Sequence, residues 1–394
     1  MLAFSLASFG ANMVNAFSNT ALPLYLGGYG LPNWLIGILA QERSLVGGFV
    51  QPLVGALSDR TRTRLGRRRP FFLIGVPLTA AALGVLAIGP PVWAVLAVLP
   101  FFAFFLAIAN DPYLALMADI APLEQRGTIG GWMALLNMLG QVTLLLVAAA
   151  LWGSARGLVF GALIVGLVVS FGLTFLLVAE PPAPAREAPR GRIRYRPVAY
   201  VKNILAHREL AKYVGSQFFF WLGNGAAVPF LTRFAVEVLG VEERQAFLFV
   251  FVAVAFAALG ALPAGWLGSH LGKQRTLSFG LAGFMVIGLV GSQIQTPGQT
   301  YMVMACLGAC NAVVTALLFP LLADFMPADR RGELTGVGSL VWSVAQPIGS
   351  FLAGLFIDLT GTYRAVFVVS ALLFALSLGL LRMVRADNSA VAAA

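Results

Sequence analysis

Three ionisable side chains fall inside long apolar stretches of the chain. Glu42 and Arg43 lie near the middle of one stretch, and Asp111 lies towards one end of another. Because removal from water disfavours the charged form of a carboxyl group, an acid in such a place is able to bind a proton on one side of a membrane and release it on the other. We expect Asp111 to be the proton site, Glu42 the second candidate and Arg43 their switchable partner. The alternative is a structural group in which the three charges neutralise one another.

A polar stripe runs along the first apolar stretch. Its members follow each other at spacings of three and four, which places them on one helix face; they are Ser5, Ser8, Asn12, Asn15 and Asn19. A polar side chain in lipid needs a partner or a wet cavity, so the stripe indicates a cavity wall or a helix–helix hydrogen-bond seam. Five residues are more than a seam needs. We interpret Asn12, Asn15 and Asn19 as substrate contacts.

Amide and indole groups recur on four later apolar stretches. They are Asn137, Gln141, Gln217, Trp221, Asn224, Asn311, Trp342 and Gln346. An amide offers hydrogen-bond donors and acceptors together, which suits hydroxyl groups, and an indole face stacks on the C–H side of a sugar ring. We expect these side chains to line a sugar site, although each tryptophan taken singly is also consistent with helix packing.

The elements that carry these residues are predicted to be membrane-spanning helices. Of the 394 residues, 59% are hydrophobic and 11% are charged, where a soluble domain has about 25% charged residues. This composition excludes a soluble enzyme, a secreted disulfide scaffold and a nucleic-acid-binding protein. Runs long enough to cross a bilayer predict an all-α membrane protein with twelve spans, at 2–26, 33–57, 70–89, 92–118, 128–151, 156–179, 210–236, 243–267, 276–294, 299–323, 334–357 and 363–381.

The net charge of +10 reflects membrane topology. Of the 26 basic residues, 21 fall on one side of the predicted bundle, including six in 59–69 and eight in 186–212. The positive-inside rule assigns that side to the cytoplasm. We therefore expect a plasma-membrane protein with both termini inside. The first apolar run has no basic segment before it and no cleavage site after it, so we interpret it as a span and not as a signal peptide.

The chain repeats itself at about half its length. ADIAPLEQRGTIGG at 118–131 and ADFMPADRRGELTG at 323–336 share Asp, Pro, an acid, Arg and Gly in the same order. Between them, 180–209 is rich in Pro and Arg and predicts a cytoplasmic linker. The predicted domains are thus two six-helix halves, 1–179 and 210–394, as in duplicated transporter folds.

The loop after the second span carries a recognisable motif. GALSDRTRTRLGRRRP at 55–70 resembles the loop signature of the major facilitator superfamily, Gly-x-x-x-Asp-Arg followed by Gly-Arg-Arg. We expect Gly55 to permit close helix approach and Asp59 to pair with basic residues. The predicted latch on the cytoplasmic side comprises Gly55, Asp59, Arg60, Gly66, Arg67, Arg68, Asp119, Arg126, Asp324 and Arg331. The alternative is that the arginines only anchor the loop to lipid headgroups. In the second half Ser269 replaces the aspartate, so a latch there must be built differently.

A narrower resemblance rests on three segments. LSDRTRTRLGRRRPFFL, NDPYLALMADIAPLEQRG and SFGANMVNAF are similar to segments of the glycoside–pentoside–hexuronide cation symporters and, in RLGRRRP and ALMAD, of the related sucrose–proton symporters. The resemblance implies twelve helices in two pseudo-symmetric halves, alternating access, cation coupling in the N-terminal half and a sugar-like substrate at the membrane midplane between the halves.

The chain departs from that family where its sodium-coupled members have carboxylates. The resemblance places the two sodium-binding aspartates of the second span near Gly47 and Gln51, a further aspartate near Asn110 and the sugar-contacting carboxylate of the first span at or near Asn12. These departures count against sodium. We expect a proton to be the coupling ion, with no metal, no cofactor, a small-molecule substrate, no nucleic-acid partner and a monomer in the bilayer. Alternatives within transport are an uncoupled facilitator and an exporter of amphipathic drugs or lysolipids. An enzyme or receptor would need clustered catalytic groups or a sizeable soluble domain, and we find neither in the sequence.

Two further pairs have simpler interpretations. Arg233 and Glu237, four residues apart near the outer end of the seventh span, predict an external gate or a surface pair. Cys306 and Cys310 are one helical turn apart in the tenth span, and with no third ligand nearby we interpret them as small packing residues.

Overall fold

The computed structural model describes residues 1–122, 125–180, 208–325 and 331–384. Within these ranges nearly all regular structure is helical. An isolated bridge between Thr63 and Gly66 is the one strand-like pairing that they contain. Most of the predicted linker lies outside the described residues.

Nine helices of the described part are long and apolar enough to cross a bilayer. They match the predicted third to sixth and eighth to twelfth spans: Arg69–Ala87, Val92–Ile120, Arg126–Leu151, Arg156–Leu177, Glu243–Leu271, Lys273–Gly291, Pro297–Asp324, Arg331–Thr360 and Arg364–Arg382. The tenth span shows how the local sequence sets a helix start. Thr296 Oγ1 accepts from the Gln299 backbone N–H at 3.3 Å and Gln299 Oε1 accepts from the Thr296 N–H at 3.2 Å, a reciprocal cap.

The three remaining spans are helical but interrupted. They are the first (Leu2–Ala16, the π-helical Phe17–Ala21 and Leu22–Gly27), the second (Asn33–Leu39 and Glu42–Arg60) and the seventh (Arg208–Ala227, the 3-10 turn Val228–Phe230 and Leu231–Leu239). Pro23 and Pro229 lie at two of these interruptions, and a proline lacks the N–H that a continuous helix uses. All twelve predicted spans are therefore helices, with ends within a few residues of those expected.

The second span differs from the prediction of one continuous helix over 33–57. Ala40 and Gln41 separate its two helices, and Gln41 has φ −109° and ψ 24°, outside the helical region. Apolar periodicity does not detect this break, because the residues on both sides of it are helical. Its consequence is that Glu42 becomes the first residue of a helix inside the span.

The same pairs of spans pack together in both halves of the chain. Contacts group the described residues into two units, 1–180 with Val228–Phe251, and 208–227 with 252–384. In the first unit the first span packs on the fifth and sixth, and the third on the fourth and sixth. In the second unit the seventh span packs on the eleventh and twelfth, and the ninth on the tenth and twelfth. Each of these four pairs recurs six spans later.

Glycines bring the central helix pairs of each unit into backbone contact. A Cβ on Gly140 of the fifth span would overlap the carbonyl oxygen of Phe9 in the first. A Cβ on Gly349 of the eleventh span would overlap the carbonyl oxygen of Leu222 in the seventh. Close backbone approach at small residues is a main source of helix association in membranes, and these two contacts position the polar residues beside them.

Candidate functional site

The polar stripe of the first span divides into a packed part and an open part. Ser5 and Ser8 are buried, and Ser8 Oγ lies 2.7 Å from the Tyr113 hydroxyl of the fourth span. This end of the stripe is the hydrogen-bond seam that we considered as the alternative. The half-buried members are Asn12, Asn15 and Asn19. The predicted substrate contacts are therefore the part of the stripe that remains accessible.

The three asparagines form a connected row that reaches the fifth span. Asn12 Nδ2 donates to the Asn137 carbonyl at 2.6 Å, Asn15 Nδ2 to Asn12 Oδ1 at 3.4 Å and Asn19 Nδ2 to the Asn15 carbonyl at 3.1 Å. Gln141, also half-buried, lies one turn beyond Asn137. A primary amide has two N–H donors and an oxygen with two lone pairs. These bonds use one N–H of each asparagine, which leaves capacity for a ligand.

An acidic group lies beside this row. Ser18, on the first span, donates to Glu42 Oε1 at 2.7 Å. Glu42 is 4% exposed. Two carboxylate oxygens, Glu42 Oε2 and Asp111 Oδ2, are buried and have no hydrogen-bond partner among the described residues. Arg43 interacts electrostatically with both carboxyl groups. The structure thus brings together the three ionisable residues that the sequence singled out.

The break in the second span adds a feature to this group. Glu42 is the first residue of Glu42–Arg60, and the unpaired N–H groups of a helix start carry partial positive charge that stabilises a nearby anion. Burial and the unpartnered Oε2 act in the opposite direction, because a charged oxygen without a donor is costly inside a protein.

The amides of the second unit are arranged differently. Gln346 Nε2 donates to Asn224 Oδ1 at 3.2 Å, which joins the eleventh and seventh spans. Gln217 is buried and donates to the Leu318 carbonyl at 3.4 Å, so packing accounts for it at least in part. The remaining predicted contacts in this unit are half-buried: Trp221, Asn311 and Trp342.

The motif loop forms an ion-pair cluster at the end of the first unit that the sequence predicts to face the cytoplasm, and we call it the inner cluster. Arg68 donates through Nε to Asp119, and Arg67 pairs with the same carboxylate at 2.7 Å. Arg68 also pairs with Asp59 at 3.1 Å. Asp119 directly follows the predicted span 92–118. Burial disfavours the charge of Asp119, but hydrogen bonds from Arg68 and Arg67 outweigh burial and hold the pKa of Asp119 below its ordinary value.

Glu180 completes this inner cluster and was not predicted. Its carboxylate accepts from the backbone N–H of Arg68 at 3.0 and 3.1 Å and from that of Arg69 at 3.3 Å, at the start of the third span. Gly66 has φ +109°, and a Cβ there would overlap the Glu180 carboxylate. The glycine of the motif is therefore required both for its backbone conformation and for the approach of Glu180. An acid just before a Pro-rich segment carried no signal in the sequence.

The second unit has a different ion pair at the corresponding place. Lys273 Nζ lies 2.7 Å from both carboxylate oxygens of Asp324, which is the repeat counterpart of Asp119. Gln274 Nε2 donates to the carbonyls of Leu381 and Val384 at 2.9 and 2.8 Å. Ser269, where the first half has aspartate, hydrogen-bonds to Trp266 in its own helix. Among the described residues, the ion pair at this place is the one between Lys273 and Asp324.

The other predicted latch residues have varied surroundings. A Cβ on Gly55 would meet no described atom within 4 Å, so the described residues show no close helix approach at Gly55. Arg60 is exposed, and Arg126 Nε donates to the Ala121 carbonyl at 3.2 Å. The side chain of Arg331 lies outside the described residues.

Arg233 is a buried contact residue in the first unit and not a surface pair. It is 8% exposed and donates to Asn33 Oδ1 of the second span at 2.8 Å. Its pair with Glu237 is longer, at 3.4 Å. The guanidinium packs on Gly27, where a Cβ would come within 2.9 Å of it. The helix Leu231–Leu239 of the seventh span thereby contacts the first and second spans.

The family model described as MFS/sugar transport protein matches residues 3–386, almost the whole chain. The chain belongs to this family. It is therefore a multi-pass membrane transporter of the major facilitator type and not an enzyme. The narrower resemblance to the glycoside–pentoside–hexuronide symporters stays a prediction.

Curated relatives of this transporter share about a quarter of its residues. Multidrug resistance protein MdtG of Salmonella paratyphi A is 25% identical over 367 residues, which cover 89% of this chain and 86% of the relative. Multidrug resistance protein MdtG of Escherichia coli O9:H4 is 24% identical over 368 residues, with 89% and 85% covered.

Solved structures of transporters share the fold of this chain at lower identity. The nucleoside transporter NupG gives a TM-score of 0.77 at 13% identity, with 98% of this chain and 100% of that chain covered. A bacterial homologue of the human lysosomal transporter Spinster, in an inward-facing and occupied conformation, gives 0.75 at 14%, with 97% and 95% covered. The peptide transporter POT in complex with sulfate gives 0.73 at 14%, with 97% and 93% covered. The twelve-helix prediction is confirmed.

Replacing Arg68 in this transporter by Gln should loosen the inner cluster. The change removes the charge that pairs with Asp119 and Asp59, and we expect the free energy of unfolding to fall by about 2 kcal/mol, the range of hydrogen bonds to charged groups. The loss is measured by thermal unfolding in detergent. Arg64→Gln, at an exposed position of the same loop, is the matched control and should change stability little. Equal stability of both variants would contradict the cluster's role.

The same measurement has a defined pH dependence. Since the pKa of Asp119 is lower in the folded protein, the stability that its carboxylate contributes is complete above the unfolded pKa of about 4 and is lost as the pH falls through the folded pKa. The difference between Arg68→Gln and the unmodified protein should therefore shrink in acid.

Proposed function

We propose that the protein moves a small polar solute, a sugar or a glycoside, across the plasma membrane by alternating access, coupled to protons. The observation that supports this most is the adjacency within one unit of a half-open amide row and a buried carboxyl group. Asn15 and Asn19 belong to the row, and Ser18, between them in sequence, is hydrogen-bonded to Glu42. A solute that binds the row would therefore contact the same helix whose Ser18 is hydrogen-bonded to the protonatable Glu42.

The chemistry of the row supports this solute class. Hydroxyl groups both donate and accept hydrogen bonds, as amides do, and a site built to satisfy hydroxyls rejects apolar analogues because its polar groups would be left unpaired. In the second unit, Asn224 and Gln346 offer a second amide pair, and Trp221 and Trp342 offer aromatic faces for C–H contacts. This combination suits a pyranose better than a lipophilic cation.

Two unpartnered carboxylate oxygens, Glu42 Oε2 and Asp111 Oδ2, support proton coupling. Protonation of Asp111 or Glu42 would remove a buried negative charge for which one oxygen has no described donor. Arg43 is positioned to compensate the charge when the proton leaves. We propose Asp111 as the proton site, Glu42 as the second candidate and Arg43 as the partner that exchanges between them.

We further propose that the inner cluster acts as a latch. Arg67, Arg68, Asp119, Asp59 and Glu180 hold the motif loop to the ends of the third, fourth and sixth spans. A change in the position of these helix ends would have to break these ion pairs, so the cluster stabilises one conformation against another.

A second candidate function is export of amphipathic drugs. It is favoured by the name of the relatives, multidrug resistance protein, and would use the aromatic side chains more than the amides. An uncoupled facilitator is the third alternative. These candidates differ in the ligands that should stabilise the protein and in the response to a proton gradient.

Ligand-dependent thermal shift and uptake distinguish the candidates. We expect one or more mono- or disaccharides to stabilise the protein, by about 2.7 kcal/mol at a hundredfold excess over Kd, and to accumulate in proteoliposomes under an inward proton gradient. Asn15→Ala should remove the shift, whereas Gln295→Ala, at an exposed position, should retain it. Stabilisation by lipophilic cations or lysolipids and by no sugar would support the exporter. Sugar uptake that ignores the gradient would contradict coupling.

A further inference from the structure

A groove of about 290 Å³ lies between the third and sixth spans. Its apolar walls include Phe72, Val76, Pro77, Val168, Gly172 and Phe175. Leu73 and Leu176, also part of its lining, are 50% and 75% exposed, so the groove opens on an apolar face of two membrane spans. Its volume is about twice that of a 150 Å³ cavity that holds benzene. This space accommodates a stretch of acyl chain.

Arg69 lies against Phe175, at the end of the groove near the basic loop. Its guanidinium carbon is 4.2 Å from the centroid of the Phe175 ring, and Nη2 donates to the Phe175 carbonyl. Its Nε is buried and has no hydrogen-bond partner among the described residues. Since a buried donor without an acceptor is costly, an acceptor group beside the guanidinium would stabilise this end of the groove.

The charges around Arg69 favour an anionic acceptor. The nearby acids already have partners: Asp119 pairs with Arg67 and Arg68, and Glu180 accepts from the backbone at the start of the third span. Three further basic side chains of the loop are exposed: Arg60, Arg62 and Arg64. The surface next to the groove therefore has an excess of positive charge.

We propose that the groove binds an anionic phospholipid, with an acyl chain between the third and sixth spans and the phosphate at Arg69. The positive-inside rule predicts that this end of the bundle faces the cytoplasmic leaflet, whose anionic lipids attract basic segments beside membrane spans. The bound lipid also covers the groove face next to the inner cluster. Unlike a diffuse attraction of the loop to headgroups, this site requires the groove as well as the charge.

Gly172 allows the groove to be blocked selectively. A Cβ at Gly172 would meet no described atom within 4 Å, so a larger side chain enters the groove without displacing packed atoms. Gly161 on the same helix has equally open surroundings and does not line the groove. Gly172→Phe and Gly161→Phe are therefore a matched pair.

Native mass spectrometry of the purified full chain tests the proposal. We expect palmitoyl-oleoyl phosphatidylglycerol to bind about fivefold more tightly than phosphatidylcholine with the same chains, since one basic contact contributes about 1 kcal/mol. Arg69→Gln should abolish this preference. Gly172→Phe should weaken binding of both lipids, and Gly161→Phe should bind as the unmodified protein does. Monodisperse elution of each variant shows that it is folded.

The unmodified protein provides a test that needs no variant. Dioctanoyl phosphatidylglycerol should compete with the long-chain lipid, and glycerol 3-phosphate, which has the phosphate without a chain, should not. Competition by glycerol 3-phosphate would show a free-phosphate site and overturn the lipid assignment. Unchanged binding in Gly172→Phe, or an unchanged preference in Arg69→Gln, would overturn the groove or the headgroup contact respectively.

Discussion

Asp111→Asn should abolish proton-driven accumulation of substrate while exchange continues. Under a gradient of about one pH unit, a one-proton symporter accumulates its substrate up to about tenfold, and we expect the variant to reach a ratio of about one. Asparagine resembles the protonated acid in shape and charge, so the loaded carrier still reorients but no proton is released. The two activities are measured in the same proteoliposomes, as gradient-driven uptake and as counterflow of labelled substrate.

Controls separate Asp111 from other acids. Glu242→Gln changes an exposed carboxylate and should leave accumulation intact. Glu42→Gln tests the second candidate in the same assay. If Asp111→Asn still concentrates substrate and Glu42→Gln does not, the proton is carried by Glu42. If both variants concentrate substrate, the buried acids are a structural group.

Gly140→Ala should be strongly destabilising. The added methyl group would overlap the Phe9 carbonyl oxygen and force apart the first and fifth spans, at a cost of about 3 kcal/mol for overpacking. It would also disturb the hydrogen bond from Asn12 to the Asn137 carbonyl. We therefore expect a lower melting temperature and weaker substrate binding together, measured by thermal unfolding with and without ligand.

The same helix provides a control of opposite sign. A Cβ on Gly131 would meet no described atom within 4 Å, so Gly131→Ala should be neutral or stabilise by up to about 1 kcal/mol through helix propensity. Gly349→Ala, at the corresponding contact with Leu222 in the second unit, should behave as Gly140→Ala does. A stable Gly140→Ala protein would show that the two helices tolerate a wider spacing.

Hydropathy and charge predicted most of the fold, because lipid imposes a simple requirement. Backbone groups in a bilayer must be hydrogen-bonded internally, so each long apolar run becomes a helix. The repeat at 118–131 and 323–336 predicted two six-helix halves, and four span pairs of the first unit recur six spans later in the second. Breaks such as the one at Gln41 were missed, since a local change of backbone angles leaves the apolar pattern unchanged.

The candidate site was predicted less completely, because helical periodicity identifies a face but not what covers it. Periodicity placed the stripe of the first span on one face. Only the structure shows that Ser8 is buried and hydrogen-bonded to Tyr113, while Asn15 is half-buried. In the same way, the loop motif indicated ion pairs but not Glu180, whose role depends on the end of a different helix.

The sequence by itself determined that this is a twelve-helix membrane transporter with basic loops on one side, since apolar length and charge bias are properties of the chain that need no partner. Tertiary structure alone decided which polar groups are satisfied and which are not. Hydrogen bonds between spans distant in sequence occupy Ser8 and Gln217 and leave Glu42 Oε2 and Asp111 Oδ2 without described donors. The physical reason is that a buried polar atom is stabilised or destabilised by its neighbours in space, and helix packing brings those neighbours from elsewhere in the chain.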